Sequence, residues 1–221
     1  AVGHFKDAFH EYVVAGNHAA VNPTECGTKS AAYHRLTVPA GGETKLQLRL
    51  TDSLPADPLA DFDAVMTKRR EETDQFYNEL ERNLNNQENC RIQRQALAGM
   101  LWSKQFFYYD VSQWLKGDPA QPAPPPERDH ARNSEWQHMH NADVLSMPDK
   151  WEYPWYAAWD LAFHTVALAL VDAEFAKSQL VQLTRTWYMH PNGQLPAYEW
   201  AFDDTNPPVH AWAAWRVFQI D

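Results

Sequence analysis

The sequence predicts a mainly α-helical protein in which a short strand-rich region precedes an array of antiparallel helices. After residue 61 apolar residues recur at steps of three and four, whereas leucines alternate with polar residues over residues 46–50. A proline-containing segment, residues 52–58 (DSLPADP), separates the two patterns. We therefore expect β-structure over residues 1–52, a linker over residues 53–60, and helices over residues 61–221.

Two runs in the first region predict a β-hairpin. Residues 33–38 (YHRLTV) and 44–50 (TKLQLRL) flank a turn sequence, PAGG, at residues 39–42. Because two strands alone are only marginally stable, we expect this hairpin to belong to a larger sheet that begins before residue 1.

Apolar stripes after the linker predict five helices. Asp61 is a plausible N-cap for the first helix, and Gly117 follows the expected end of the second. The last stripe continues to the end of the sequence, so we expect an internal part of a longer polypeptide. The predicted helices cover residues 62–84, 92–115, 157–171, 173–188 and 206–220.

Composition and charge exclude several partners. The net charge of −10 repels polyphosphate, which argues against nucleic acid as a partner. The apolar run at residues 166–171 is far shorter than the ~20 residues of a membrane-spanning helix. Two isolated cysteines and no recognisable leader favour a cytoplasmic protein. His138 and His140 have no third neighbour at zinc-like spacing, so we expect no metal and no cofactor.

Tryptophans and carboxylates are interleaved in the second half of the chain. Aromatic faces can stack on the C–H faces of a sugar, and carboxylates can accept hydrogen bonds from its hydroxyls. The pattern predicts a site for a polyhydroxylated ligand, although tryptophans in a helical core and acids in solvent would give it too. The residues are Trp151, Trp155, Trp159, Trp187, Trp200, Trp212 and Trp215, with Asp149, Glu152, Asp160, Glu199, Asp203 and Asp204.

The candidate general acid is Asp160, within the segment WEYPWYAAWDLAFH at residues 151–164. Pro154 and the crowded aromatics predict a loop that enters a helix, with Asp160 near the first turn. Aromatic surface disfavours the ionised form of a carboxyl, as a general acid requires. The alternative is an ordinary N-terminal helix acid, whose ionised form the helix dipole favours.

Two segments resemble glycoside hydrolase family 63, the processing α-glucosidase I family, and most closely its bacterial glucosidase and mannosylglycerate hydrolase members. The WDxxFH sequence at residues 159–164 is similar to the catalytic-acid segment of the family. Residues 192–200 (NGQLPAYEW) and 206–212 (NPPVHAW) resemble the substrate-site segment that follows. Residues 95–114 also resemble the family.

The resemblance implies an (α/α)6 barrel, or helical toroid, preceded by a β-sandwich. Residues 1–52 would then be the C-terminal part of the sandwich and residues 61–221 the N-terminal part of the catalytic domain. It also implies an inverting hydrolase of α-linked glucosides or mannosides, with Asp160 as general acid. The general base, a Glu, is expected beyond residue 221, so this chain alone should be inactive. The implied substrate-binding residues are Tyr153, Trp155, Trp159, His164, Glu199 and Trp200.

Two other hypotheses about function stay open. One is a non-catalytic carbohydrate-binding or interaction module with a tryptophan-lined cleft. The other is a different helical-toroid enzyme, an epimerase or a polysaccharide lyase, in which His164 and Tyr198 would be the essential groups. In the leading reading the partners are an oligosaccharide or glycoside substrate and the remainder of the same polypeptide.

Overall fold

The computed structural model is mainly helical, as the sequence predicts. It describes residues 4–53, 55–131, 133–147, 149, 152–153, 155–199 and 203–221, which divide into two compact units at residues 64 and 65. None of the helices described is long and apolar enough to cross a membrane. The helices are α1 (Ala8–Val13), α2 (Phe62–Glu81), α3 (Gln87–Trp102), α4 (Val111–Lys116), α5 (Ala158–Leu168), α6 (Ala173–Leu183) and α7 (Val209–Ile220).

The predicted hairpin at residues 33–50 is not formed. Among residues 4–53 the structure contains α1 and a 3-10 turn, His18–Ala20, but no strand. The turn itself is present, because the Gly42 N–H donates to the Pro39 carbonyl at 2.9 Å. Leu48 and Leu50 are 76% and 102% exposed, so the alternating leucines have no apolar partner that would hold two strands together. The assignment of this region to a β-sandwich stays a prediction.

The predicted helix over residues 92–115 is wrong, because a strand divides it. Helix α3 ends at Trp102, and β1 (Lys104–Asp110) follows, with sequence KQFFYYD. It pairs antiparallel with β2 (His140–Ser146), which the sequence analysis missed. Four consecutive aromatic residues favour the pleated, half-buried surface of a strand over a helix, and Asp110 then caps α4 by accepting from the Gln113 N–H at 2.9 Å.

Helices α5, α6 and α7 pack against one another and form one core. Small residues on all three helices allow the backbones to approach closely: Ala162, Ala176 and Ala213 are each fully buried. Leu168, Leu180 and Val217 fill the space between them.

A second core lies between α4, β2, α5 and the 3-10 turn Thr186–Tyr188. Trp136, Met139, Leu145, Leu161 and Tyr188 are among its buried members. The predicted helix over residues 173–188 therefore ends earlier, at Leu183, and the last helix begins at Val209 rather than at residue 206.

Gln179 on α6 joins the helices to the sheet. Its Nε2 donates to the Val144 carbonyl at 3.0 Å, and its Oε1 accepts from the Ser146 N–H at 3.1 Å. The side chain is 1% exposed. Because a buried amide satisfies the free edge of β2, its removal leaves two main-chain groups without partners.

We expect Gln179→Leu to destabilise the protein by ~2–4 kcal/mol, since both Val144 and Ser146 would lose a buried hydrogen bond. Chemical unfolding monitored by tryptophan fluorescence measures this loss. The neighbouring exposed residue Ser178, whose hydroxyl donates to the Phe175 carbonyl of its own helix, gives the control Ser178→Ala, expected to change stability by less than ~0.5 kcal/mol. Equal stability of Gln179→Leu and the parent would contradict the role of Gln179.

A second link between sheet and helices is an ion pair. Lys104 Nζ at the start of β1 lies 2.6 Å from Asp172 Oδ2, and Asp172 also caps α6 by accepting from the Phe175 N–H at 3.0 Å. The hydrogen bond from Lys104, followed in importance by that cap, holds the pKa of Asp172 below its ordinary value of 3.8, against the opposing effect of burial.

A lowered folded-state pKa stabilises the protein above the unfolded value and stops doing so as the pH falls through the folded value. We therefore expect Asp172→Asn, which keeps a capping oxygen but loses the charge, to be less stable than the parent at pH 7. The difference in unfolding midpoint should shrink below pH 3.8 as Asp172 of the parent becomes protonated. A difference that stays constant from pH 7 to pH 2 would show that the ion pair contributes nothing.

Candidate functional site

The structure brings the two candidate sugar-site segments together by main-chain pairing. Ala157 and Tyr198 form an isolated antiparallel bridge, and the Ala158 N–H donates to the Ala197 carbonyl at 2.7 Å. All three alanines are at least 93% buried, so bulky side chains do not keep the two backbones apart. The start of α5, which carries Asp160, therefore lies beside the segment that carries Glu199.

The second segment is held by its own turn and by Asn206. The Gly193 N–H donates to the His190 carbonyl at 2.8 Å, with Gly193 at φ +85°, a conformation that favours glycine. Asn206 Nδ2 donates to the Leu195 carbonyl at 2.8 Å. The turn predicted at residues 190–193 is thus present, and Asn206 connects it to the residues that precede α7.

Asp160 is the third residue of α5 and lies in its first turn, as the sequence predicts. Its side chain is half-buried. Within the described part of the chain, its carboxyl group makes no hydrogen bond and no ion pair, but its charge acts on His164 one turn along the helix.

Several aromatic rings lie on α5, on α7 and in the loop before α5. Trp159 is 36% exposed and its ring lies edge-on to Phe163, with 6.3 Å between centroids. The Phe163 ring also packs against that of Trp212 on α7, with 5.6 Å between their centroids. In the loop before α5, Tyr153 lies edge-on to Trp155 at 5.1 Å. Four of the predicted substrate-binding residues, Tyr153, Trp155, Trp159 and His164, thus lie within seven positions of Asp160 in sequence, and Trp200 lies outside the described residues.

Glu199 is more deeply buried than Asp160. The residue is 4% exposed, and its charge acts on Tyr156, which is fully buried. Burial, followed by the nearby Tyr188 and Glu199, raises the pKa of Tyr156 well above its ordinary value. The centroids of the Tyr156 and Tyr188 rings are 5.3 Å apart. The Tyr188 hydroxyl donates a hydrogen bond to Asp143 Oδ2 at 2.9 Å. Glu199 is therefore close to a polar cluster formed by Tyr156, Tyr188 and Asp143.

The residues of this cluster were not predicted from the sequence. Tyr156 lies in the segment at residues 151–164, but nothing in the sequence distinguishes it from the other aromatic residues of that segment. Tyr188 and Asp143 come from a predicted helix end and from an unpredicted strand. A carboxylate and two tyrosines at such distant positions become neighbours only through the fold.

His164 is anchored from the sheet. Its Nδ1 lies 3.0 Å from Ser146 Oγ on β2, and Ser146 is 1% exposed. Burial lowers the pKa of His164, although the charge of Asp160 and the contact with Ser146 raise it in part. The imidazole is therefore uncharged at neutral pH.

Tyr198 is bound to a carboxylate. Its hydroxyl donates to Asp204 Oδ2, and this hydrogen bond is the largest of the effects that raise the pKa of Tyr198. A phenol with a raised pKa ionises less readily, which argues against Tyr198 as the base of a lyase or an epimerase.

Two of the cavities formed by the described residues are lined by residues other than Asp160 and Glu199. The larger, of about 420 Å³, lies between β1, α4 and the following loop and is lined by residues that include Tyr109, Trp114 and Arg128. The other, of about 370 Å³, lies beside Trp136. No group of three His, Cys, Asp or Glu side chains suited to a metal occurs in the described ranges.

Comparison with known proteins finds one relative of unassigned function. The chain is 49% identical over 228 residues to the Saccharomyces cerevisiae protein named "Uncharacterized protein YMR196W". The alignment covers 98% of this chain and 21% of the yeast protein, so the chain spans about a fifth of the length of that relative. No family model matches the sequence, and no solved structure matches it.

The role of Asn206 in holding the second segment can be tested by amide hydrogen exchange. We expect Asn206→Ala to speed exchange of the Ala158 amide about fivefold, because loss of one hydrogen bond of ~1 kcal/mol raises the population in which the segment at residues 195–199 detaches. The neighbouring exposed Thr205 gives the control Thr205→Ala, expected to leave exchange unchanged. Unaltered exchange in Asn206→Ala would show that the contact with Leu195 does not hold the pairing.

Proposed function

We propose that this chain is part of an inverting glycoside hydrolase of the family 63 type, in which Asp160 is the general acid. The substrate is an α-linked glucoside or mannoside. In this proposal α2 to α7 belong to an (α/α)6 barrel, and the general base is a Glu of the same polypeptide beyond residue 221. Activity, substrate and partners belong to the natural-length protein, of which this chain supplies the acid and part of the sugar site.

The observation that carries the proposal is the pairing of residues 157–158 with residues 197–198. It joins the segment that resembles the catalytic-acid region to the segment that resembles the substrate site. The two stretches are separated by about 40 residues in sequence, so their contact is a consequence of the fold and not of the local pattern.

Chemistry also supports the acid role of Asp160. A general acid needs a carboxyl whose oxygens can reach the departing oxygen, and the Asp160 carboxyl is half-buried with no arginine or lysine bound to it among the described residues. Trp159 presents partly exposed aromatic area beside it, on which the C–H face of a sugar ring can pack.

Glu199 has a different role in this proposal. Its burial beside Tyr156 suits a carboxylate that accepts hydrogen bonds from sugar hydroxyls, rather than one that activates water. In an inverting enzyme the acid and the base stand roughly 6.5–9.5 Å apart with a water between them, and the base comes from the opposite side of the sugar.

The test is a comparison of Asp160→Asn with the parent in the natural-length protein. Loss of the acid should lower kcat/KM on unactivated α-glucosides by roughly 10²–10⁴-fold. The loss should be much smaller for aryl glucosides with a low-pKa leaving group, because such a group departs without a proton. Glu127→Gln, at an exposed acid outside both candidate segments, is the control and should retain activity.

A non-catalytic carbohydrate-binding module would give a different result. Sugar binding, followed by calorimetry with gluco- and manno-oligosaccharides, would then be present without turnover, and Asp160→Asn would leave it unchanged. Equal turnover of Asp160→Asn and the parent on both substrate classes would remove Asp160 from the mechanism.

A further inference from the structure

Two fully buried side chains have polar atoms without a hydrogen-bond partner among the described residues. Asn141 lies on β2, and Tyr156 lies in the loop before α5. Each is 0% exposed, and neither the Tyr156 hydroxyl nor either polar atom of the Asn141 amide makes a hydrogen bond to another described residue. Because a buried polar atom without a partner is costly, both side chains require a hydrogen-bonding group from elsewhere.

Tyr188 is a neighbour of both side chains. Its ring centroid lies 5.3 Å from that of Tyr156. Burial raises the pKa of Tyr188 most, Asp143 raises it further, and Asn141 lowers it in part, so the Asn141 amide lies close to the Tyr188 hydroxyl. This hydroxyl donates to Asp143 Oδ2 at 2.9 Å and accepts from Gln182 Nε2 at 3.1 Å. Its one proton is therefore committed to Asp143 and is not available to Asn141 or Tyr156.

The register of the main-chain bridge places Glu199 opposite Tyr156. Ala157 pairs with Tyr198 in an antiparallel arrangement. The residues one step outward, Tyr156 and Glu199, therefore stand opposite each other. Side chains in such opposite positions lie on the same face, with Cβ atoms about 4.5–5.5 Å apart. Burial, followed by Tyr188 and Glu199, raises the pKa of Tyr156, which agrees with this placement. The buried carboxylate of Glu199 is thus a third neighbour of the Tyr156 side chain.

A hydroxyl oxygen is the group whose chemistry suits these side chains. The Asn141 amide has both donors and an acceptor, the protonated Tyr156 phenol has a donor, and the Glu199 carboxylate has acceptors only. A hydroxyl oxygen can accept from the donors and give its own proton to an acceptor. An anion would be repelled by the carboxylate and has no proton to donate.

We propose that Asn141, Tyr156 and Glu199 form a binding site for one hydroxyl oxygen, supplied either by an enclosed water molecule or by a hydroxyl group of the bound sugar. The sugar source rests on the proposed function, and the water source does not. With either source Tyr156 is a positioning residue for Glu199, because the oxygen connects a fixed, buried phenol to the carboxylate.

The first experiment compares the urea unfolding midpoint of Tyr156→Phe with that of the parent in the natural-length protein. The replacement keeps the ring and its packing against Tyr188 and removes only the hydroxyl. Loss of a hydrogen-bonded hydroxyl lowers the midpoint, whereas removal of a buried hydroxyl without a partner leaves it equal or raises it. We expect a lower midpoint, and an equal or higher one overturns the proposal. Tyr108→Phe, the same change at a tyrosine that is 55% exposed, is the control and should leave the midpoint unchanged.

The second experiment is a pair of crystal structures of the natural-length protein, free and with maltotriose bound. We expect an ordered oxygen about 3 Å from both the Tyr156 hydroxyl and the Asn141 amide. A water oxygen in both structures assigns the source to solvent, and a sugar hydroxyl at that position in the complex assigns it to the ligand. The lack of any oxygen there in both structures overturns the proposal.

The third experiment tests the positioning of Glu199 by calorimetry with maltotriose. Tyr156→Phe should weaken binding about fivefold, as expected for the loss of one hydrogen bond. In a Glu199→Gln background the same replacement should have little further effect, because Tyr156 acts through the carboxylate. An equal loss of affinity in both backgrounds would mean that Tyr156 is merely structural, which overturns its role as a positioning residue.

These experiments separate this inference from the proposed function. An ordered water at the site, in a protein that neither binds maltotriose nor hydrolyses α-glucosides, contradicts the glycosidase proposal and leaves the site intact. Hydrolysis that depends on Asp160, with no oxygen between Tyr156 and Asn141, contradicts this inference alone.

Discussion

The candidate site depends on a short main-chain contact between two loops. The hydrogen bond from the Ala158 N–H to the Ala197 carbonyl, together with the bridge between Ala157 and Tyr198, fixes where α5 begins relative to the segment that follows α6. Alanine at all three buried positions makes this approach possible, because a larger side chain would have to enter a packed core. The contact places the segment that carries Glu199 beside the start of the helix that carries Asp160.

The two carboxyl groups that the contact brings together have contrasting surroundings. Asp160 lies at the first turn of α5, half-buried, with oxygens free of cations in the described structure, whereas Glu199 is nearly fully buried against Tyr156. A group that donates a proton to a departing oxygen must be reachable, and a group that orients hydroxyls benefits from a fixed position. The difference in burial is therefore consistent with different proposed tasks for Asp160 and Glu199.

The helices were predicted well where their apolar stripe is regular. Helices α5 and α6 begin within one residue of the predicted positions, because the apolar period of α5 is uninterrupted and Asp172 is a strong N-cap for α6. The strand β1 was missed because its apolar and aromatic residues, read at steps of three and four, also fit a helix. Its partner β2 lies 30 residues away, and only that pairing decides between the two structures.

The candidate site could be predicted only in part, because some of its residues are recognisable within one short segment and others are not. Asp160 was chosen as a candidate because a carboxylate among tryptophans is visible in one short segment. Ser146, Gln179 and Tyr188 were not found, because each is an ordinary residue in its own segment and becomes important through contacts with distant elements. The hairpin expected at residues 33–50 was wrong because alternation indicates a strand only where another strand or a core face covers it.

The most direct test of the central claim is a crystal structure of the natural-length protein with an α-glucoside analogue bound. The proposal places the sugar between the start of α5 and residues 197–199, with the oxygen of the scissile bond about 3 Å from an Asp160 carboxyl oxygen. A sugar bound in the groove beside Trp114, or an Asp160 carboxyl turned away from the ligand, would contradict it.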